Sequence, residues 1–429
     1  MSAKKSERCA RPRCSAPGYY IVVRTARTAR CCAVSVLATS ALVVASGACP
    51  EARQGAAVTA EQRREAIVRM WRDAEPPPAP LLAAERAWVL TLPIVPSAPG
   101  AMDQNRIYIP LRQDLLIALD RETGLLDWTR TIDTTSAVVV GPASLFVVSR
   151  GQIRALDAAT GDDLWSARVD AAITAPLVLD SGWLIAIVEP GEVLAFRATD
   201  GALMWRRAVG APSLHPAVPG GQNALYVTLA DSRVVALGLE HGEPLWEQTL
   251  PGTLSAPAVA RDRVFVGSTD NFFYALDADD GSLAWKWRGG GDVIGAATDD
   301  DVVYFASLDN IIRAVNRGNG NQRWQKSTGT RPVLPPLAFR GIVVLPGLMP
   351  AVTVFVGKTG AVLGTHAPGN LVGAPMVDPA LQPFRVALVT ITREGVVEAL
   401  RPTAVTFRET ALTPISALPG RTIARERLE

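Results

Sequence analysis

Beyond residue 49 the chain contains no cysteine; all five, Cys9, Cys14, Cys31, Cys32 and Cys49, lie within that first stretch. The remaining body therefore has neither a disulfide nor a thiolate metal site and must be held together by burial. Histidine is almost as scarce. His215, His241 and His366 are the only three, and none has a second at metal-ligand spacing. A glycine-rich phosphate loop and a nucleophile elbow are also missing. The formal charge of +2 is misleading, because eight Lys/Arg and the single acid Glu7 fall in the first thirty residues and leave the rest acidic by five charges. A mildly acidic body argues against nucleic acid as the main partner, since neutralising phosphates needs a basic face.

With 48% hydrophobic and 20% charged residues, the chain has material for a large core and is not a disordered polymer. Residues 1–49 have the order of an export leader: a basic stretch ending at Arg30, then nineteen uncharged residues from Cys31 to Cys49. "VVASGAC" ends on small residues before a cysteine, the pattern of a bacterial lipobox, although Ser46 stands where that pattern prefers an aliphatic residue. Lipidation of Cys49 is the expectation, against an uncleaved anchor or ordinary cleavage nearby. Residues 50–80 read as a tether, with a possible short helix over Glu61 to Arg72 and a stiff "EPPPAP" run.

The body, residues 81–402, is periodic. Gly124, Gly161, Gly201, Gly242, Gly281, Gly320 and Gly360 are spaced by 37, 40, 41, 39, 39 and 40 residues. Trp128, Trp165, Trp205, Trp246, Trp285 and Trp324 follow the first six at four residues, and Gly364 takes that place in the seventh. Six residues before each glycine stands Ala118, Ala155, Ala195, Ala236, Ala275, Ala314 or Val354. Each unit contains four short β-branched, aromatic or alternating runs separated by turn residues, as in "SAPAVA", "RVFVGS", "NFFYALDA" and "SLAWKW". Gly281 supplies the positive φ of a tight hairpin, with Asp279 and Asp280 expected to accept backbone N–H bonds there. The tryptophan is expected to wedge between neighbouring sheets, since one four-stranded sheet cannot bury both faces alone.

Four-stranded units near forty residues predict an all-β fold, a β-propeller of antiparallel blades. Seven units are complete, and "EGVVEALRP", with Ala399, begins an eighth that lacks its outer strand. "AERAWVLTLP" carries Trp88, forty residues before Trp128, and is predicted to supply that strand and close an eight-bladed ring. The C-terminal tail, residues 403–429, either packs across a face of the disc or hangs free.

The repeats "ALDRETGLLDW", "ALDAATGDDLW" and "ALDADDGSLAW" resemble the pyrroloquinoline quinone (PQQ) repeat family from Trp88 to about Arg401. The resemblance implies a propeller whose functional face carries the hairpins between second and third strands together with the crossings between blades. Those hairpins hold Arg112 and Asp114, Arg150 and Gln152, Glu189 and Glu192, Asp231 and Arg233, Asp270 and Asn271, Asp309 and Asn310, Leu348 and Met349, and Arg393 and Glu394. Four arginines against seven acids give no field of one sign.

Three functions compete. A quinoprotein dehydrogenase of this family would hold PQQ and calcium under a vicinal disulfide and inserted loops; here Cys31 and Cys32 fall in the leader, and the spacing leaves no room for insertions. No enzyme activity, metal or cofactor is expected. Bare, exported, lipid-anchored propellers of the family are scaffolds in outer-membrane β-barrel assembly, and the resemblance implies a periplasmic location, an outer-membrane anchor, and the central barrel-inserting subunit as partner. The alternative is another extracytoplasmic binding or sensing propeller. Arg112, Arg150, Arg233, Asp270, Asn271, Asp309, Asn310, Leu348, Met349 and Arg393 are the candidate partner-binding residues. In the seventh hairpin, apolar Leu348 and Met349 mark either an adaptable contact or a diverged blade near the closure. His241 is expected as an exposed turn residue, and His215 and His366 on crossing segments.

Overall fold

The computed structural model describes residues 84–402 except 135, 222, 300, 349–351, 367–368 and 379–384. The leader with Cys49, the tether, the tail and Met349 lie outside the described residues. Among those described, all regular structure is β, and it forms eight four-stranded antiparallel sheets arranged as the blades of a propeller. The first blade runs outward through Ala101–Met102, Arg106–Leu111, Leu115–Asp120 and Leu126–Thr131. Six more follow as continuous stretches of chain.

The eighth blade takes Met376–Val377, Leu388–Ile391 and Val396–Pro402 from the end of the body, and Ala84–Thr91 from its beginning. Trp88 pairs with Ala399 as Trp128 pairs with Ala118, so the returning strand keeps the register of an ordinary outer strand. The predicted closure is observed.

The second and third strands of each blade read as nearly unbroken apolar runs because both of their faces are covered. In Ala224–Thr228, Leu225 and Val227 pack toward the preceding blade with Ile185, Ile187 and Val193, whereas Ala224 and Tyr226 pack toward the following one with Val264, Val266 and Tyr274. The outer strands are mostly exposed and alternate only from the tryptophan onward, with Trp128, Trp165, Trp205 or Trp285 turned partly inward.

Each indole crosses to the next blade. Trp88 Nε1 donates to the Arg121 carbonyl at 3.0 Å, Trp128 to Ala158 at 3.2 Å, Trp205 to Leu239 at 2.9 Å, Trp246 to Ala278 at 2.8 Å and Trp324 to Gly357 at 2.7 Å. Trp165 and Trp285 repeat the bond to Ala198 and Arg317. Every acceptor lies three residues before a turn glycine, and the same ring lies over that glycine. A Cβ on Gly124 would stand 2.7 Å from the Trp88 ring, and one on Gly161 would stand 2.8 Å from Trp128. The glycine thus meets two demands: a left-handed backbone, φ +73° at Gly281, and clearance for the neighbouring blade's tryptophan. In this turn Asp277 accepts the N–H of Asp279 at 3.0 Å, and Asp280 accepts that of Ser282 at 2.9 Å. Asp279, expected as an acceptor, is therefore a donor through its backbone, because the Asx turn starts two residues earlier.

The ring closure carries an additional latch. Arg121, 1% exposed, donates from Nε to the Val386 carbonyl at 2.8 Å and from Nη2 to Asp378 at 2.6 Å, while Glu122 takes the Val386 N–H at 3.0 Å and Arg385 Nε at 3.1 Å. These bonds tie the first blade's turn to the eighth blade across the chain ends.

Candidate binding face

Antiparallel blades put the second-to-third hairpins and the blade crossings on one face of the disc, and the third-to-fourth hairpins on the other. On the first face the turns are tight. Gln113 and Asp114 have φ of 66° and 56°, and Arg150 and Gly151 have 49° and 74°, the left-handed pair of a two-residue hairpin. Glycine or asparagine suits these positions; a left-handed arginine costs on the order of 1 kcal/mol. Arg150 is three-quarters exposed, and its guanidinium lies 3.5 Å from the Asp114 carboxylate on the neighbouring hairpin. Arg112 and Arg393 are exposed.

Other residues on these turns serve the turns themselves. Asp270 accepts the Phe272 N–H at 2.9 Å and the Tyr274 hydroxyl at 2.5 Å, and burial raises the Tyr274 phenol well above its ordinary range. Asn271 and Asn310 supply left-handed positions, φ 70° and 62°. Asp309 accepts Ser307 Oγ at 2.6 Å, Arg313 Nη2 at 2.7 Å and the Gly290 N–H at 3.1 Å. Burial pushes its pKa up, but Arg313 and these donors outweigh that and hold it below the usual carboxylate value. Arg313 is itself buried, with its guanidinium 5.2 Å from the Trp287 ring of the preceding blade. Arg233 donates to Asp231, Glu247 and the Val209 carbonyl, each at 2.8 Å.

Leu348 is 52% exposed and Val333 43% exposed, on two loops joined by the Pro332–Gly347 bridge, so an apolar spot stands on the seventh blade. The crossing from the third to the fourth blade adds Leu214, 73% exposed. The sequence reading missed it; its one signal is a large apolar residue before His215-Pro216 in a segment too short to bury it.

His215 lies on that crossing as expected, with Nε2 3.2 Å from the Leu254 carbonyl, and burial lowers its pKa. His241 is an exposed turn residue. His366, expected on a crossing, is instead the last residue of the outer strand Val362–His366, because Gly364 keeps the tryptophan's register; its Nε2 lies 2.8 Å from Glu398 Oε2.

Comparison with known proteins matches a family model over most of the repeat body. The model of that family, described as outer membrane protein assembly factor BamB, matches residues 69–213, 189–334 and 230–374. The outer membrane protein assembly factor BamB of Bordetella pertussis is 31% identical over 140 residues, 31% of this chain and 34% of that protein. That of Yersinia pestis is 26% identical over 184 residues, 38% of this chain and 46% of its own length. The chain thus spans a third to a half of the length of these relatives. The crystal structure of BamB from Moraxella catarrhalis superposes with a TM-score of 0.61 at 17% identity, covering 74% of this chain and 99% of that one, a likeness of fold.

Proposed function

Because this chain belongs to the outer membrane protein assembly factor BamB family, we propose that it is a binding scaffold in the assembly and insertion of outer-membrane β-barrel proteins. It would act in the periplasm, without catalysis, held at the outer membrane by lipid on Cys49. Its partner would be the central barrel-inserting subunit of the assembly machinery.

The observation that carries this reading is the way the chain enters the disc. Ala84 pairs with Pro402 and Thr91 with Val396, so the chain reaches the eighth blade at the end of the third-to-fourth hairpins and runs toward the hairpin face. On that face the described hairpins are tight turns carried by a closed ring of sheets, which suits capture of a folded partner domain. Arg112, Arg150, Arg393, Leu348 and Leu214 are its exposed contact residues; Arg233, Asp270, Asn271, Asp309 and Asn310 shape the turns around them.

Affinity capture of the exported chain from solubilised Gram-negative envelope tests the reading. Co-purification of the central barrel-inserting subunit is expected. Its reproducible absence would favour another extracytoplasmic binding propeller instead.

A further inference from the structure

Seven of the eight seams between blades follow one rule: a tryptophan on one outer strand covers a glycine in the next blade's turn and donates to the carbonyl three residues before it. The seam between the seventh and eighth blades has no such indole, because Gly364 stands at the tryptophan position, paired with Val354. A buried charge stands there instead. Glu398, on the third strand of the eighth blade, is 5% exposed and is the only buried carboxylate among the described residues. Its Oε1 accepts Nε of Arg86, on the N-terminal strand, at 2.5 Å, and its Oε2 lies 2.8 Å from Nε2 of His366, on the seventh blade's outer strand.

The seam between the first and second blades carries the same clamp in another form. Arg130 stands two residues after Trp128, Asp163 two before Trp165 and Arg154 one before Ala155, and Asp163 accepts from both arginines. His366, Arg86 and Glu398 hold the same three positions relative to Gly364, Trp88 and Ala399, with acid and arginine exchanged between the last two. At the first seam the clamp stands beside Trp128, on a strand held by its own hairpin. At the seventh it has neither support, because the eighth blade's outer strand comes from the other end of the body. Residues two apart on a regular strand share a face, but a bulge between Arg86 and Trp88 breaks the alternation. Arg86 therefore reaches the node shared with the seventh blade, while Trp88 lies over Gly124 of the first.

We propose that Ala84–Thr91 is a two-sided strap on the eighth blade that opens in a fixed order: Arg86 releases Glu398 and loosens the seam to the seventh blade, and Trp88 then leaves Gly124 and frees the seam to the first. The order follows from the chain. Thr91 runs on into the first blade, so the strand peels only from Ala84, and a pull on the chain ahead of residue 84 meets Arg86 before Trp88. The reach of the first step across the seam is electrostatic. An ion pair between exposed side chains contributes little, but Glu398 is buried, and without Arg86 its charge keeps an imidazole and loses its guanidinium. The penalty falls on the one seam that has no indole to hold it. This inference stands independently of the partner proposed above.

Hydrogen exchange of the full chain, read strand by strand, tests it. Arg86→Met is expected to speed exchange in Val362–His366, across the seam, at least about fivefold while Leu126–Thr131 of the first blade keeps the wild-type rate. Faster exchange confined to Ala84–Thr91 would overturn the proposal, and so would an equal rise in the first blade. In a Glu398→Gln background the buried charge is gone, and Arg86→Met should then add less than about twofold. Equal acceleration in both backgrounds would overturn the electrostatic step. Should Glu398→Gln fail to fold, Arg86→Lys decides: it keeps the cation and is expected to exchange within about twofold of the wild type, whereas a rate matching Arg86→Met would overturn the proposal.

Discussion

Trp88 and Gly124 meet across the join between the two ends of the propeller: the indole lies over the glycine, donates to the Arg121 carbonyl at 3.0 Å, and leaves no room for a Cβ. The same contact recurs at six seams inside the continuous chain, but here it also fastens a strand to the ring. Trp88→Ala is expected to cost about 3 kcal/mol or more, the range for losing a packed aromatic side chain. Hydrogen exchange should then show Ala84–Thr91 opening before the other outer strands. Exchange rates that rise equally in all eight blades would show that this strand has no special part in closure.

Asp309 is expected to act through Arg313. Removing the carboxylate leaves a buried guanidinium with its ring contacts and the Ser307 hydroxyl, but without its counter-charge. Asp309→Ala should therefore destabilise by about 3 kcal/mol. Denaturant unfolding of Asp309→Ala, Arg313→Met and the double variant checks this: the double should be less damaged than the sum of the singles. The depressed carboxylate pKa adds a pH arm. Its contribution is present above the ordinary aspartate value and lost as pH falls through the folded one, so the wild type should lose more stability than Asp309→Ala in that acid range.

His215 acts in the opposite pH direction from a paired histidine. Burial lowers its folded pKa below the ordinary 6.5, so above that value both folded and unfolded forms are neutral and it contributes no slope. As pH falls below it, the unfolded chain takes the proton first and the fold loses stability, until the folded imidazole is protonated as well. His215→Gln keeps a donor for the Leu254 carbonyl and removes the titration. Stability measured from about pH 7 to about pH 5 should fall less in the variant than in the wild type.

Arg150 holds a left-handed backbone at φ 49° with its side chain in solvent. Arg150→Asn is expected to raise stability by about 0.5 kcal/mol, because asparagine tolerates that conformation. It should also weaken partner capture. A variant that is more stable and binds unchanged would remove Arg150 from the contact surface.

The architecture was legible because the forty-residue period, the Gly–Trp cadence and the position of Trp88 are all local patterns. What the cadence did was only half legible. The glycine that pairs with Trp88 in space is Gly124, in the following unit, and a sequence read unit by unit does not join them. Arg121 was passed over since an arginine is ordinarily a surface residue, and only the fold shows it 1% exposed against Val386 and Asp378. On the candidate face the sequence located the turns but not their internal hydrogen bonds. Asp270 and Arg150 therefore looked alike, although one carboxylate is committed to Phe272 and Tyr274 within its own turn and the other side chain is three-quarters exposed beside Asp114 of the neighbouring hairpin. Gly364 read as divergence, whereas its place beside a blade without a covalent turn gives a physical reason for losing the tryptophan.

Direct binding between the purified exported chain and the periplasmic domains of the central barrel-inserting subunit tests the scaffold reading most sharply. The wild type should bind, a variant carrying Arg112→Glu, Arg150→Glu and Leu348→Ser should lose at least about tenfold in affinity, and a control altered at exposed Asp162 and Glu240 on the opposite face should bind as the wild type does. Binding that survives the first variant and fails in the control would contradict the assignment of the face, and no binding by the wild type would contradict the scaffold role itself.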